Sequence, residues 1–153
     1  MQFCKLLPLF FLSIVGRALA CSCAAQSGSL GESTKSSFES HNRVAVMEVV
    51  AIEHRQVTFS WGKATDRWVR FEPHQVFKGL VIGNQQFYAT LGGRGTDCEV
   101  HARVGELWLV YANNTEPIAL SACGDSGRLV SRFQELRYLF QLSDAVASPA
   151  SER

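Results

Sequence analysis

The stretch RVAVMEVVAI, residues 43–52, is rich in β-branched residues and is almost continuously apolar. Such a run predicts a strand that is buried on both faces, at the centre of a sheet. The segments on its carboxy-terminal side alternate apolar and polar residues and are separated by turn residues, which predicts further strands. The predicted strands are 43–52, 54–61, 66–79, 85–91, 106–112 and 118–123. Because there is no strand–helix–strand rhythm, we expect an all-β fold with flanking helices, built on a closed barrel of five or six strands.

Two irregularities are predicted in the third of these segments. Trp68 and Phe71 are out of phase with each other, which suggests a β-bulge between them. Pro73 cannot donate a ladder hydrogen bond and is expected at a sheet edge or a kink. Before the first strand, residues 24–33 are small and polar and predict a loop, and 34–42 predict a short helix capped by Ser33 or Thr34.

The hydrophobic period changes near the carboxy terminus. The segment LVSRFQELRYLFQL, 129–142, repeats its apolar residues at helical spacing, which predicts one amphipathic helix. The apolar positions are Val130, Phe133, Leu136, Leu139 and Phe140. We expect Phe133, Leu136 and Phe140 to cover one end or face of the barrel. The remaining residues, 143–153, predict a disordered tail.

The amino terminus is typical of a secretory signal. Lys5 precedes an apolar run too short to span a bilayer, and Ala18 and Ala20 occupy the positions expected before a cleavage site. We therefore expect residues 1–20 to be removed, which leaves a secreted chain with one domain over 21–142 and no transmembrane segment. Loss of Lys5 and Arg17 changes the formal charge from +1 to −1. No basic cluster predicts a nucleic-acid partner.

Cysteine pairing is the main constraint on the mature chain. Of five cysteines, Cys4 leaves with the signal, so Cys21, Cys23, Cys98 and Cys123 remain. An even number in an exported chain favours two disulfides, with three possible connectivities. A bridge between Cys21 and Cys23 is the least favourable of these, because so short a loop rarely satisfies disulfide geometry.

Enzyme-like motifs in the chain lack their required partners. Ser126 lies in the Gly-Asp-Ser-Gly of 124–127, a pattern found around serine nucleophiles, but no histidine stands in a matching motif. We interpret the segment as a turn leading into the helix and do not expect an enzyme. Cys98 and His101 have zinc-ligand spacing, yet disulfides are favoured in an exported chain, so no cofactor is expected. Asn113 begins an Asn-Asn-Thr glycosylation motif that matters only in a eukaryotic secretory pathway.

The residue pattern resembles a known family. The Cys-Ser-Cys directly after the signal, FESHNRVAVMEVVAI (38–52), VRFEPHQVFKGL (69–80), DCEV (97–100) and ELWLVYANNTEPIALSAC (106–123) followed by a helix are similar to the amino-terminal, netrin-like domain of the tissue inhibitors of metalloproteinases. The resemblance covers nearly the whole mature chain. It implies an OB-fold barrel with bridges Cys21–Cys98 and Cys23–Cys123. The third bridge of this domain and the cysteine-rich carboxy-terminal subdomain of the family have no counterpart here.

The function implied by the resemblance is that of a monomeric, secreted inhibitor of zinc metalloendopeptidases. The amine and carbonyl oxygen of Cys21 would chelate the catalytic zinc of the protease, and Ser22 would enter its specificity pocket. The other residues expected to contact the protease are Cys23, Ala24, Thr96, Asp97 and Glu99. The alternative is a netrin-like extracellular binding module without a protease target. If the chain is bacterial, two localisations are expected: a lipoprotein anchored through Cys21, or a periplasmic protein without an anchor.

Overall fold

The computed structural model describes residue 23 and residues 28–60, 62–80, 86–91 and 100–147. The described elements are α1 (Leu30–Ser40), β1 (Arg43–Phe59), β2 (Gly62–Lys78), β3 (Phe87–Leu91), β4 (Leu107–Ala112), β5 (Ile118–Leu120), β6 (Gly127–Arg128), α2 (Leu129–Arg132), a 3-10 turn (Phe133–Glu135) and α3 (Leu136–Ala147). The predictions of a mostly β chain and of flanking helices are therefore confirmed.

The six strands form one sheet in the order β5-β3-β2-β1-β4-β6. All neighbouring strands are antiparallel except β3 and β5, which are parallel. The sheet curls into half of a barrel. The segment 43–52, predicted as a central buried strand, does lie in the middle of the sheet, between β2 and β4.

The first two strands are longer than the sequence indicated. Segments 43–52 and 54–61 were predicted as separate strands, but β1 runs without a break through Arg43–Phe59 and pairs along its length with Gly62–Lys78. The junction at Glu53 contains no glycine, proline or other turn former, so nothing interrupts the extended backbone. The pairings with β3 and β4 cover only part of these strands, and the rest forms a two-stranded ribbon.

The predicted bulge lies at the expected level of the sheet but on the other strand. Val49 pairs with Phe71 and Ala51 with Arg70, so the extra residue is Val50 of β1. Trp68 and Phe71 are three residues apart and face opposite sides of β2 by ordinary alternation, which required no phase shift. Pro73 lies beside a second register shift of the β1–β2 pair, as its position at a kink predicted.

The inner face of the curled sheet holds the main core. Aliphatic and aromatic side chains from β1 to β5 meet there with two residues of the segment that precedes β4. Its buried members are Ala45, Met47, Val49, Val69, Phe71, Phe87, Ala89, Leu91, Val100, Ala102, Trp108, Val110, Ala112, Ile118 and Leu120. Alternation along each strand directs every second side chain into this cluster, which explains the apolar pattern of the sequence.

A second core cluster lies between the outer face of the sheet and the helices. Its members are Phe38, Val44, Val46, Phe77, Leu109, Tyr111 and Leu139, all buried. Val44 and Val46 contribute to this side of β1, whereas Ala45 and Met47 contribute to the inner side. Residues 44–47 are therefore apolar on both faces because the strand is covered on both.

The amino-terminal helix begins earlier than predicted. Residues 24–33 were predicted as a loop with a cap at Ser33 or Thr34, but α1 starts at Leu30 and its cap is Ser29. The Ser29 side chain accepts from the Glu32 amide, and the Glu32 carboxylate accepts from the Ser29 amide. This reciprocal capping box satisfies two amides of the first turn. The Ser29 amide, and secondly its hydroxyl, lower the pKa of Glu32.

The carboxy-terminal end of α1 is held by the end of β2. The Lys78 ammonium donates to the carbonyl oxygen of Phe38 at 2.6 Å, which satisfies an end carbonyl of the helix. Gly79 follows with a φ of 68°, and a side chain there would meet the Asn42 carbonyl oxygen at 1.9 Å. The close approach of the two backbones therefore requires glycine.

The carboxy-terminal helix differs from its prediction in length and in orientation. It is divided by the 3-10 turn and continues to Ala147, so residues 143–147 are helical and not part of a tail. Phe133 is 67% exposed, so the prediction that it covers the barrel is wrong, whereas Phe140 is half buried and its ring packs against Phe77 of β2 with centroids 5.1 Å apart. Leu139 is fully buried instead, and Leu136 packs against the second core. The 3-10 turn rotates the helical face, which the uniform period of the sequence did not indicate.

Among the residues that the structure describes, no helix is both long and apolar enough to cross a membrane.

Candidate functional site

The described part of the site is centred on the disulfide between Cys23 and Cys123. These cysteines are 100 residues apart in sequence, and their Cα atoms are 5.2 Å apart. This is the pairing that the resemblance implies for them. The Cys23 sulfur also lies 3.8 Å from the carbonyl oxygen of Ala122. Since a bridged sulfur carries no proton, this is a packing contact rather than a hydrogen bond.

Cys123 lies in a turn that leads from β5 to β6. The Gly124 amide donates to the carbonyl oxygen of Ser121 at 3.0 Å, which closes the turn. The Cys123 amide donates to the Ser121 hydroxyl at 3.3 Å. The Arg132 guanidinium of α2 donates to the Gly124 carbonyl oxygen at 3.1 Å. The turn that holds Cys123 is therefore bonded both to itself and to the helix behind it.

Arg132 is in turn fixed by a polar network under the turn. Its guanidinium pairs with the Glu135 carboxylate at 3.0 Å, and Glu135 accepts a hydrogen bond from the Tyr111 hydroxyl at 2.9 Å. Glu135 is buried, and a buried carboxylate requires such partners because its desolvation is costly. Burial, and secondly the charge of Glu135, raise the pKa of Tyr111. The Tyr111 hydroxyl therefore stays protonated, and able to donate, at pH values well above the ordinary pKa of tyrosine.

Ser126 has a structural partner on the neighbouring strand. Its hydroxyl accepts from the Tyr111 amide at 2.9 Å and donates to the Tyr111 carbonyl oxygen at 3.1 Å. Both backbone groups of one residue of β4 are thus bonded to one side chain, which extends the pairing of β4 with β6. This geometry gives the Gly-Asp-Ser-Gly segment a role in positioning the turn.

The loop after α1 approaches the same turn. The ring of His41 packs against the ring of Tyr111 with centroids 5.7 Å apart. Its Nδ1 lies 2.8 Å from the Ser37 carbonyl oxygen, which makes Nδ1 the protonated nitrogen, and 3.7 Å from the Asp125 carboxylate. Contacts from the loop after α1, from β4 and from α2 therefore converge on residues 121–126.

Most residues predicted to contact a protease lie outside the described part of the chain. These are Cys21, Ser22, Ala24, Thr96, Asp97 and Glu99, together with Cys98 of the other expected bridge. Cys23 is described and exposed, at the surface that its bridge to Cys123 defines. His101, considered with Cys98 as a zinc ligand, is exposed, and its carbonyl oxygen accepts from Arg128. Asn113 is exposed after β4.

Sequence reasoning missed the network of Tyr111, Arg132 and Glu135. Tyr111 was counted only as part of a buried strand, and Glu135 resembled a solvent-facing residue of an amphipathic helix. One signal was present, because an arginine and a glutamate three residues apart are neighbours on a helix. Nothing in that spacing shows that the pair is buried or that a strand tyrosine reaches it.

No family model and no curated protein matches this chain.

Proposed function

We propose that this chain is a secreted inhibitor of zinc metalloendopeptidases that acts through its mature amino terminus. The free α-amino group and the carbonyl oxygen of Cys21 chelate the catalytic zinc of the target enzyme. The amino-terminal pattern of signal, Cys-Ser-Cys and two later cysteines supports the proposal, as does the resemblance to the netrin-like inhibitors. The zinc belongs to the protease, and the inhibitor needs no cofactor of its own.

The observation that carries the proposal is the bridge between Cys23 and Cys123. Cys23 is only two residues from the predicted mature end, so the Cys21 amine cannot lie farther than about 9 Å from the Cys23 Cα. Cys123 is held by Ser121, Arg132 and the buried network behind them. A short terminus anchored to such a turn loses little conformational freedom on binding, which favours a tight complex.

The chemistry of the amine suits this role. An α-amino group has a pKa of about 7.7–8, so a substantial fraction is neutral at physiological pH and can donate its lone pair to zinc. Catalytic zinc sites keep one position open for water, and the amine and carbonyl oxygen of Cys21 would displace that water. Ser22 points into the primary specificity pocket of the enzyme. The residues that contact the enzyme on either side of this amino-terminal segment are Ala24, Thr96, Asp97 and Glu99.

The strand order supports the finer assignment to the OB-fold. Strands β1, β2 and β3 are consecutive antiparallel neighbours, β4 returns to pair with β1, and β5 pairs parallel to β3. Contact between β4 and β5 would close a five-stranded barrel of this type. In this assignment α1 and α3 cover one side of the barrel, and the Cys23–Cys123 bridge lies at one end.

The test is an extension of the mature amino terminus by one alanine. The extension converts the Cys21 amine into an amide, whose nitrogen is a poor zinc donor, and places an extra residue at the water position. We expect inhibition of zinc endopeptidases to be lost while the circular dichroism spectrum and disulfides are unchanged. A matched control carries the additional alanine after Arg153 and should inhibit like the parent chain. Equal inhibition by both variants would refute the chelation mechanism.

The binding-module alternative is distinguished by the state of Cys21. Mass spectrometry of the secreted protein, unreduced and reduced, measures the cleavage position, any acyl group and the number of bridges. A free Cys21 amine agrees with inhibition. An acylated Cys21, or a parent chain that inhibits none of the zinc endopeptidases tested, would favour a netrin-like module without a protease target.

A further inference from the structure

The carboxy-terminal helices leave several apolar side chains wholly or partly exposed, among them Phe140, whose other face packs against Phe77 of the second core. Val130 is 86% exposed and Phe133 is 67% exposed, and Phe140 is 48% exposed one helical turn beyond the 3-10 segment. Val104, in the turn before β4, is 62% exposed. One concave region is lined by Phe133, Leu136 and Phe140, and a second by Gly105, Val130 and Phe133. Phe133 lines both regions, and Val104 directly precedes Gly105 at the edge of the second. These four residues are called the apolar surface below: Val104, Val130, Phe133 and Phe140.

The apolar surface is comparable in area to the largest exposed apolar patches of soluble monomers, which are often functional. If a phenylalanine carries roughly 200 Å² of side-chain area, Phe133 and Phe140 together expose about 230 Å². The two valines add to this area, which brings the total to the several hundred Å² at which an exposed patch indicates an interaction site.

The apolar surface is held rigidly by backbone and core contacts. The Gly105 amide donates to the Val49 carbonyl oxygen at 2.8 Å, and the Val49 amide donates to the Glu106 carbonyl oxygen at 2.9 Å. These bonds attach the turn that contains Val104 to the central strand β1. On the helical side, Leu136 and Leu139 pack into the second core and hold residues 129–147 against the sheet. With these two leucines facing the sheet, Phe133 faces away from it.

The charges around the apolar surface are predominantly basic. Arg128 lines the region beside Val130, Arg137 lines the region beside Phe133, and Arg103 precedes Val104 in an exposed position. Glu106 also lines the region beside Val130 and pairs with Arg128 at 3.5 Å, which offsets the charge of that arginine, so the excess positive charge is that of Arg103 and Arg137. An occupant with negative charge is therefore favoured. A second copy of the chain is disfavoured, because it would bring the same arginines together.

We propose that the apolar surface docks the protein on anionic membranes. The valines and phenylalanines enter the boundary between headgroups and acyl chains, while the arginines contact anionic lipid headgroups. Apolar side chains project from two separate elements, the turn at Val104 and the helix at Val130 and Phe133, which suits insertion into a lipid interface. The proposal does not depend on protease inhibition.

The test measures binding of the mature chain, residues 21–153, to lipid vesicles by co-sedimentation. Vesicles of phosphatidylcholine alone are compared with vesicles in which a third of the lipid is phosphatidylglycerol. We expect binding to the anionic vesicles to be much stronger and to weaken with added salt, because the headgroup contacts are screened. Phe133→Ser should weaken binding about tenfold and leave the circular dichroism spectrum unchanged, since the side chain is mostly exposed.

Two charge variants distinguish the effect of a cation beside the apolar surface from the effect of the net charge of the protein on vesicle binding. Arg137→Gln removes one cation beside Phe133 and should weaken binding to anionic vesicles about fivefold. Lys63→Gln removes one exposed cation of the β1–β2 ribbon and should have no effect. Equal effects of the two, absence of binding to either vesicle, or equal binding to both vesicle types would overturn the proposal. So would a dimer in sedimentation velocity that Phe133→Ser dissociates, since the surface would then belong to a second copy.

Discussion

Two substitutions in the carboxy-terminal helices test how these helices are attached to the sheet. Leu139 is fully buried in the second core, beside Phe38, Val44 and Leu109. Leu139→Ala removes buried methyl groups and leaves a cavity among partly rigid neighbours, for which losses of about 2–5 kcal/mol are typical. We expect the free energy of unfolding to fall by about 3 kcal/mol.

The matched substitution is Phe133→Ala, which removes a larger side chain. Complete burial of such a side chain contributes about 1.5–3 kcal/mol. Only a third of Phe133 is buried, because it is 67% exposed, so we expect a loss below about 1 kcal/mol. Sequence periodicity alone would predict the opposite order, because Phe133 is the larger apolar residue of the same stripe.

The assay is urea denaturation of both variants and the parent chain with disulfides intact, followed by circular dichroism and by tryptophan fluorescence. Coincident transitions would justify a two-state analysis. Leu139→Ala should also lower the melting temperature by about 10 °C for a domain of this size. If Phe133→Ala costs as much as Leu139→Ala, or more, the assignment of the buried face of these helices is wrong.

Three further outcomes are expected from the network around Cys123. Replacing Cys123 by serine opens the bridge to Cys23 and should cost about 2–4 kcal/mol of unfolding free energy in denaturant titration; a loss no larger than experimental error would show that the bridge does not constrain the unfolded chain. The pKa of Tyr111 is raised by burial, so its contribution to stability is fully present below the ordinary tyrosine value of about 10 and is lost as the pH rises above it. Tyr111→Phe should therefore flatten the alkaline fall in stability measured by thermal melts, and an unchanged fall would contradict the assignment. Ser126→Ala removes both side-chain bonds to the Tyr111 backbone and should cost about 1–3 kcal/mol, with faster amide exchange at Tyr111; exchange that stays equally slow would show that water or another group replaces the hydroxyl.

Strand content could be predicted from the sequence because burial imposes a local pattern. Residues 44–47 are apolar on both sides, and the structure places Ala45 and Met47 in one core and Val44 and Val46 in the other. The pattern did not show where strands end. Glu53 interrupts the apolar run without interrupting the backbone, since a strand can present a carboxylate on an exposed face. There Glu53 pairs with Arg55 at 2.6 Å.

Helix boundaries depend on single side chains that composition does not reveal. The capping pair Ser29 and Glu32 has the correct spacing, but it lies in a small, polar stretch that also resembles a loop. The direction of Phe133 depends on a 3-10 turn whose cause is tertiary, because Glu135 must reach Tyr111 while Leu139 reaches the core. Neither contact can be read from a helical period.

The candidate site could be predicted only in part for a similar reason. An even number of cysteines in an exported chain predicts disulfide bridges. The assignment of Cys123 as the partner of Cys23 came from the family resemblance and not from the spacing of the cysteines. The support behind Cys123 joins residues from β4, the turn and α2, which are distant in sequence. Such a network follows from how three elements pack, and no local motif encodes it.

The span of the Cys23–Cys123 bridge also determines how the protein responds to mechanical tension. All five strands from β1 to β5 lie within the covalent loop that the bridge closes, and α2 and α3 lie outside it. A force applied at Cys23 and at Ala147 passes through the bridge to Cys123, so β6 is the strand that it loads, and β1 to β5 are shielded by the covalent loop. Between these two points the oxidised protein can therefore lengthen only by detaching and unwinding residues 124–147, which span at most about 85 Å when fully extended. Arg132 and Glu135 bond that segment to the turn and to β4, so their contacts oppose its detachment.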